Sequence, residues 1–271
     1  MGDGAQRGGR VTCIPCDSLL TVTGQDCGPR AVRLRLGLQA DEMTAALAFE
    51  QWWQLQGEWV EEPNHRRGGE SGVQRLCQDD GRVLYAKRQV GHFYRSLRHP
   101  FGRPTVLRER DALLALPLLG VKAPSLLYCD VQRDAAGLWR GLLVSEELKG
   151  FQQLDHWYAE GGRERFGVAV NEQLLEQVAG MLARFHRAGW QHGCLYQKHL
   201  FVRVEQVGER IEVETALLDL EKSRRRFSPR RAARHDMLQL KRHSSWGAGD
   251  WERLVYLYRQ AFGSAIKGLQ L

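Results

Sequence analysis

Between Gln191 and Phe201 the chain reads QHGCLYQKHLF, and twenty positions after His199 an apolar run closes in Leu218-Asp219-Leu220-Glu221. This series constrains the fold more than any other stretch. His192 is followed two residues on by Cys194, and five residues later by His199. Gly189 just upstream ends a helical pattern, and Gly208 supplies a turn between two β-prone runs over 200–204 and 211–218. The expected order is helix, polar loop, hairpin, carboxylate. Such an order brings the loop and the end of the second strand to one cleft.

The rest of the chain limits what that cleft can serve. With 271 residues and 43% apolar content the chain can bury a large core. No apolar run of about 18 residues is present to span a membrane, and no apolar segment follows the N-terminal charges to make a secretory signal. Six cysteines at irregular spacing do not form a disulfide framework, which points to a reducing cytoplasm. Cys13 and Cys16 have metal-ligand spacing, but no second pair follows to complete a zinc site. The net charge of +7 favours an anionic partner without choosing one.

Residues 1–42 are rich in glycine and arginine and differ in texture from the remainder of the chain; Met43 reads as a natural start, with a genuine flexible tail as the alternative. Residues 43–148 read as a small, mostly antiparallel part with one helix. Its strands are expected around Trp59-Val60 and over 83–90, 125–128 and 142–145. Its helix is expected over 108–119, ending at Gly120 and disturbed by Pro117. Residues 149–271 read as mainly helical. There Leu174, Leu175, Val178, Met181, Leu182 and Phe185 recur at three- and four-residue steps, and a last helix is expected over 251–262.

Phosphoryl transfer from ATP needs cations and hydrogen-bond donors around the phosphates and an oriented acceptor, with little covalent chemistry from the protein. Four separated parts of the chain offer these. Lys87, in Leu-Tyr-Ala-Lys, is placed like the strand lysine that pairs with phosphates, although a strand lysine is more often a solvated edge residue. Glu109 opens the next helix and can pair with Lys87; a glutamate there also suits the helix dipole. Gly68, Gly69 and Gly72 precede Lys87 in an expected turn whose N–H groups can approach phosphates, the weakest of the four because ordinary hairpins look alike. Asp219, after three apolar residues, can take Mg²⁺ through oxygen.

With these residues in order, the stretch over 58–265 resembles the lipopolysaccharide core kinase family (Kdo/WaaP type), and especially its InaA-like branch. Glu109 precedes Gly120-Val121 by the family's eleven residues. Tyr196 and His199 match the family's His-Arg-Asp-x-Tyr-x-x-His loop, and Leu218-Asp219-Leu220-Glu221 is similar to its Ile-Asp-Leu-His strand. Pro229-Arg230-Arg231 and His235-Asp236-Met237 match its downstream steps. The resemblance implies an α+β, protein-kinase-like bilobal fold, with an antiparallel-sheet N-lobe carrying one helix and a mainly helical C-lobe. It also implies ATP and Mg²⁺ as cofactors, Lys87, Glu109, His199 and the glycines at the nucleotide, and Asp219 with His199 at the metal. His192 and Asp236 are then structural. The implied acceptor is a sugar of the lipopolysaccharide core, at the cytoplasmic side of a Gram-negative inner membrane, with peripheral membrane contact as an option.

Two departures stand out. Gly193 replaces the loop arginine, and Cys194 replaces the catalytic aspartate that orients the acceptor hydroxyl and takes its proton. General-base help is worth about 10²–10⁴-fold, so the exchange predicts weak transfer with nucleotide binding retained. A thiolate substitute is a further option. A zinc site from His192, Cys194 and His199 has suitable donors, but a loop histidine packed inward keeps the three apart. Arg224, Arg225 and Arg226, with Arg230, Arg231 and Arg234, come after Asp219 where kinases bind their acceptor and suit an anionic sugar or headgroup; no aromatic interleaving points to nucleic acid. Three readings stay open: an active sugar kinase, a nucleotide- or phosphosugar-binding relative with a regulatory role, and a protein kinase, which shares the fold but lacks a substrate segment.

Overall fold

The computed structural model describes residues 42–66, 69–78 and 80–269. The expected N-terminal extension therefore lies outside the described residues apart from Glu42, as does Gly68.

A helix, α1 (Glu42–Gln54), precedes strands β1 (Glu58–Arg66), β2 (Gly69–Cys77) and β3 (Val83–Val90). The hairpin β4 (Phe93–Ser96) and β5 (His99–Pro104) comes next, then α2 (Thr105–Ala115), β6 (Leu126–Arg133) and β7 (Trp139–Glu146). Five of these strands form one antiparallel sheet in the order β1-β2-β3-β7-β6. Because side chains alternate along a strand, the two faces of β3 and β7 serve different neighbours. Leu84, Ala86, Leu142 and Val144 pack with Phe49 of α1 in a small cluster of their own. Lys87 points the other way, opposite Leu143, which belongs to the larger core with Val106 and Leu113 of α2.

Helix α2 begins and ends earlier than the sequence pattern predicts, so Glu109 lies in its second turn and does not open it. It ends at Ala115, and a 3₁₀ turn, Pro117–Leu119, closes at Gly120 in the left-handed region (φ 64°). Pro117 has no N–H to continue the ladder, so the chain tightens there. Val83–Val90 and the 142–145 region form strands where expected, the second within a longer ladder. The polar turn expected before Val73 is mostly strand: β1 and β2 carry their pairing to Arg66 and Gly69.

The remaining elements are β8 (Gln152–Gln153), α3 (Leu154–Ala159), α4 (Gly162–Arg187), β9 (Trp190–Gln191), β10 (Leu200–Val207), β11 (Arg210–Leu217), β12 (Arg224–Arg225), α5 (Pro229–Arg242) and α6 (Ala248–Phe262). All six residues of the predicted apolar stripe on α4 are buried, and the helix stops before Gly189 (φ 79°). Helix α5 has no counterpart in the sequence pattern. Ser228 caps it by accepting the Arg231 N–H at 3.3 Å, and Pro229 occupies its first turn. It buries Ala232, Ala233, Met237 and Leu240 beneath a basic outer surface. No helix among the described residues is long and apolar enough to cross a membrane.

Asp236 on α5 fixes the polar loop from inside. Its carboxylate has no solvent exposure, and accepts the N–H groups of His192 (2.5 Å) and Gly193 (3.0 Å). His186 lies 3.3 Å from the same carboxylate and 2.8 Å from the Tyr258 hydroxyl, while His235 lies 2.9 Å from the other oxygen. Burial alone would raise the pKa of this carboxyl, but the hydrogen bonds from His186 and His235 outweigh it and hold the group well below the usual carboxylate range. Asp236→Asn turns one acceptor into a donor facing a buried N–H, and should lower the unfolding free energy by about 3 kcal/mol at pH 7 in urea titrations. A depressed carboxylate stabilises the fold above its unfolded pKa of about 4 and loses that contribution as pH falls through the folded value. The gap between wild type and variant should therefore narrow below about pH 4; equal midpoints at pH 7 would contradict the anchoring role.

Candidate functional site

Lys87 leaves β3 toward α2, and its Nζ stands 2.8 Å from Glu109 Oε2 and 2.8 Å from Glu221 Oε2. Both distances are those of charge-assisted hydrogen bonds, and the lysine and Glu109 side chains are only 14% and 11% exposed, so solvent screens the pair little. Burial disfavours the ammonium, yet the charges of Glu109, Glu221 and Asp219 outweigh that and hold Lys87 above the ordinary lysine range. Asp219 feels the converse: desolvation works against its charge, but Lys87, then His199, keep it below the ordinary carboxylate range. The strand lysine, the helix glutamate and the strand-end aspartate thus meet in one electrostatic unit.

Glu221 was not among the residues singled out by sequence. Its carboxylate also accepts from Gln89 Nε2 (3.0 Å), and Gln89 in turn accepts from the Thr105 hydroxyl (2.5 Å). The backbone carbonyl of Glu221 accepts from Arg108 Nε. The sheet, α2 and the segment after β11 are therefore tied at this residue. A carboxylate two positions beyond Asp219 was the available signal.

Asp219 itself adopts φ 54°, ψ 58°, and it alone among the described non-glycine residues has a positive φ. A left-handed backbone costs an L-residue about 1–2 kcal/mol, and strain of this kind gathers at functional positions. The adjoining turn Leu220–Lys222 aims the carboxylate outward, leaving its side chain 42% exposed.

The loop is organised by its two histidines. His192 is fully buried; its Nδ1 accepts the Cys194 N–H (3.3 Å), so Nε2 carries the proton and donates to the Leu218 carbonyl (2.8 Å). Burial lowers its pKa and keeps the ring neutral. His199 stacks between His192 and Tyr196, with ring centroids 5.7 and 5.2 Å away. Its Nδ1 lies 2.7 Å from the Cys194 carbonyl, and its Nε2 lies 3.4 Å from Asp219 Oδ2. Cys194, only 7% exposed, has its sulfur 3.8 Å from Lys222 Nζ. Gly193 (φ 80°) passes so near the Lys222 carbonyl that an added Cβ would meet it at 2.9 Å. The departure from arginine at this position is thus matched to a backbone that favours glycine.

Both ring nitrogens of His192 are engaged with backbone groups. Cys194, His199 and Asp219 converge instead: one donor atom from each lies within 4.8 Å of the others.

The glycines and arginines require corrections in placement. Gly69 and Gly72 lie within β2, and not in a turn. A Cβ on Gly72 would meet the Trp59 ring at 2.7 Å, and one on Gly69 would meet His92 at 2.5 Å, so packing accounts for both. Arg224 and Arg225 form β12, paired to Gln191 and Trp190. All three of Arg224, Arg225 and Arg226 are exposed, but Arg225 donates back to the Ala188 carbonyl at the end of α4 (3.2 Å). Desolvation, then the charge of Arg226, lowers the pKa of Arg224, and Arg224 bears in turn on Arg108 beside Glu221. Arg224 and Arg226 therefore make the freer cationic pair.

This geometry has counterparts. The lipopolysaccharide kinase (Kdo/WaaP) family matches residues 50–258. Protein InaA of Escherichia coli (strain K12) is 38% identical over 211 residues, covering 78% of this chain and 94% of InaA. Among solved structures, WaaP in complex with acyl carrier protein has a TM-score of 0.58 at 22% identity, covering 81% of this chain and 87% of that one. The last likeness is one of fold. The match spans the sheet, the polar loop and α5 together, and the chain belongs to the lipopolysaccharide kinase (Kdo/WaaP) family.

Proposed function

We propose that this protein is an ATP-dependent phosphotransferase acting on a sugar hydroxyl of the lipopolysaccharide core, with turnover held down by Cys194. The observation that carries the reading is the buried Lys87–Glu109 pair, 2.8 Å between β3 and α2, facing Asp219. We take residues 43–148 and 149–271 as the two lobes of a kinase-like fold and the nucleotide as lying between them. Work at the cytoplasmic face of the inner membrane, with peripheral contact, is inferred from the family.

The residues fit a nucleotide with a divalent metal. Glu109, Asp219 and Glu221 all bear on the Lys87 ammonium, and Asp219 keeps an oxygen exposed for a divalent ion. Asp219 offers the exposed oxygen that Mg²⁺ takes alongside phosphates, with His199 beside it. Bound there, the metal nucleotide supplies the transferable phosphoryl group and neutralises its charge. Lys87 binds the inner phosphates, and Glu109 keeps its ammonium aimed. Glu221 shares Lys87 in the resting site and must yield it to phosphate. His192 and Asp236 hold the loop in shape. Arg224 and Arg226 bind an anionic sugar acceptor bidentately.

Cys194 sits where the acceptor hydroxyl would be oriented, and its thiol is a poorer proton acceptor at neutral pH than a carboxylate. That substitution favours a second reading, a nucleotide- or phosphosugar-binding relative that acts through its conformation.

Mg-ATP at millimolar concentration should raise the melting temperature, and Asp219→Ala should abolish the shift; a wild-type protein with no nucleotide-dependent stabilisation would refute both readings. Cys194→Asp should raise turnover on core oligosaccharide by about 10²-fold or more. Binding without turnover in both proteins would select the second reading. Glu221→Gln removes a competitor for Lys87, and should tighten Mg-ATP binding several-fold in calorimetry; weaker binding would mean that Glu221 serves the nucleotide directly.

A further inference from the structure

Of the three donors that meet at the loop, the sulfur of Cys194 has a chemistry that neither magnesium nor phosphate explains. Cys194 brings sulfur, His199 nitrogen and Asp219 oxygen, all within 4.8 Å of one another. A tetrahedral ion with bonds of about 2.0–2.3 Å sets its donors about 3.5 Å apart. His199 Nε2 and Asp219 Oδ2 already stand at 3.4 Å.

The imidazole is oriented for this task. A carbonyl only accepts, so Nδ1 of His199 must donate its proton to Cys194 O at 2.7 Å. With Nδ1 committed to that carbonyl, Nε2 is the ring nitrogen that faces the Asp219 carboxylate at 3.4 Å, placed so that one cation can take both. Donation of the second ring nitrogen to a backbone carbonyl is also how metal-ligating histidines are commonly fixed. Stacking on His192 and Tyr196 holds the ring in plane. Lys222 Nζ, 3.8 Å from the sulfur, balances part of the negative charge that a thiolate and a carboxylate bring together.

We infer that Cys194, His199 and Asp219 form a binding site for a borderline-soft divalent cation of the zinc type. Sulfur and imidazole nitrogen suit Zn²⁺, Co²⁺ or Fe²⁺ and not Mg²⁺. Three protein ligands leave a fourth position open, and the exposure of Asp219 turns it toward the cleft, where it takes water or a phosphate oxygen. The site shares Asp219 with the nucleotide but needs no nucleotide to form.

Cobalt distinguishes this site from its alternatives, because a thiolate ligand gives Co²⁺ an intense near-ultraviolet charge-transfer band. The full chain carrying Cys13→Ser and Cys16→Ser, stripped of metal, should bind one equivalent of Co²⁺ with that band. Zn²⁺ should displace it, and excess Mg²⁺ should not. In the same background Cys194→Ser should abolish the band. His199→Gln and Asp219→Asn should each weaken Co²⁺ binding by about 100-fold or more, since even outer partners of a ligand are worth about 10–100-fold. Cys194→Asp keeps a donor at the position, and should lose the band while still competing with a chelator for Zn²⁺; this guards against misfolding of the serine variant. Absence of the band in the parent protein, or its survival in both Cys194 variants, would overturn the site. Neither result bears on stabilisation by Mg-ATP, and a missing ATP shift would leave the cobalt result standing.

Discussion

The carboxylate of Asp236 is the restraint on which the rest of the site depends. It is wholly removed from water, yet it stays ionised because backbone N–H groups and two histidines supply the partners that solvent would have given. Through the N–H groups of His192 and Gly193 it sets the direction of the loop. His192 then locks to the Leu218 carbonyl, next to Asp219. One buried charge on α5 therefore determines where the loop and the end of β11 stand relative to each other, although neither is near it in sequence.

A second charge pattern grows on that frame. Lys87 is shared by carboxylates from α2 and from the segment after β11, so one ammonium helps to tie the sheet to the helical part. Gln89, Thr105 and Arg108 reinforce the junction around Glu221.

Much of this was legible in the residues. The apolar steps on α4 come from side-chain periodicity, the strand at 83–90 from its β-prone residues and the hairpin from the turn at Gly208, and each lies where the sequence puts it. Lys87 and Glu109 could be paired in advance through their likeness to the strand lysine and helix glutamate of kinases, and they meet at 2.8 Å. Three features escaped for physical reasons. Helix α5 hides behind its arginines: only four buried apolar residues mark its inner face, and the fifth buried residue there, Asp236, is charged. Gly69 and Gly72 look like turn residues, but they are strand residues whose missing side chains make room for Trp59 and His92. The convergence of Cys194 with Asp219 depends on a left-handed backbone at Asp219, and composition gives no sign of such a torsion in an aspartate.

Gly193 fixes the approach to position 194. Its left-handed backbone and the nearby Lys222 carbonyl leave no room for a side chain, so the path of the chain into position 194 is held independently of what stands there. The reactivity offered at 194 is then a property of that one side chain and not of the course of the loop.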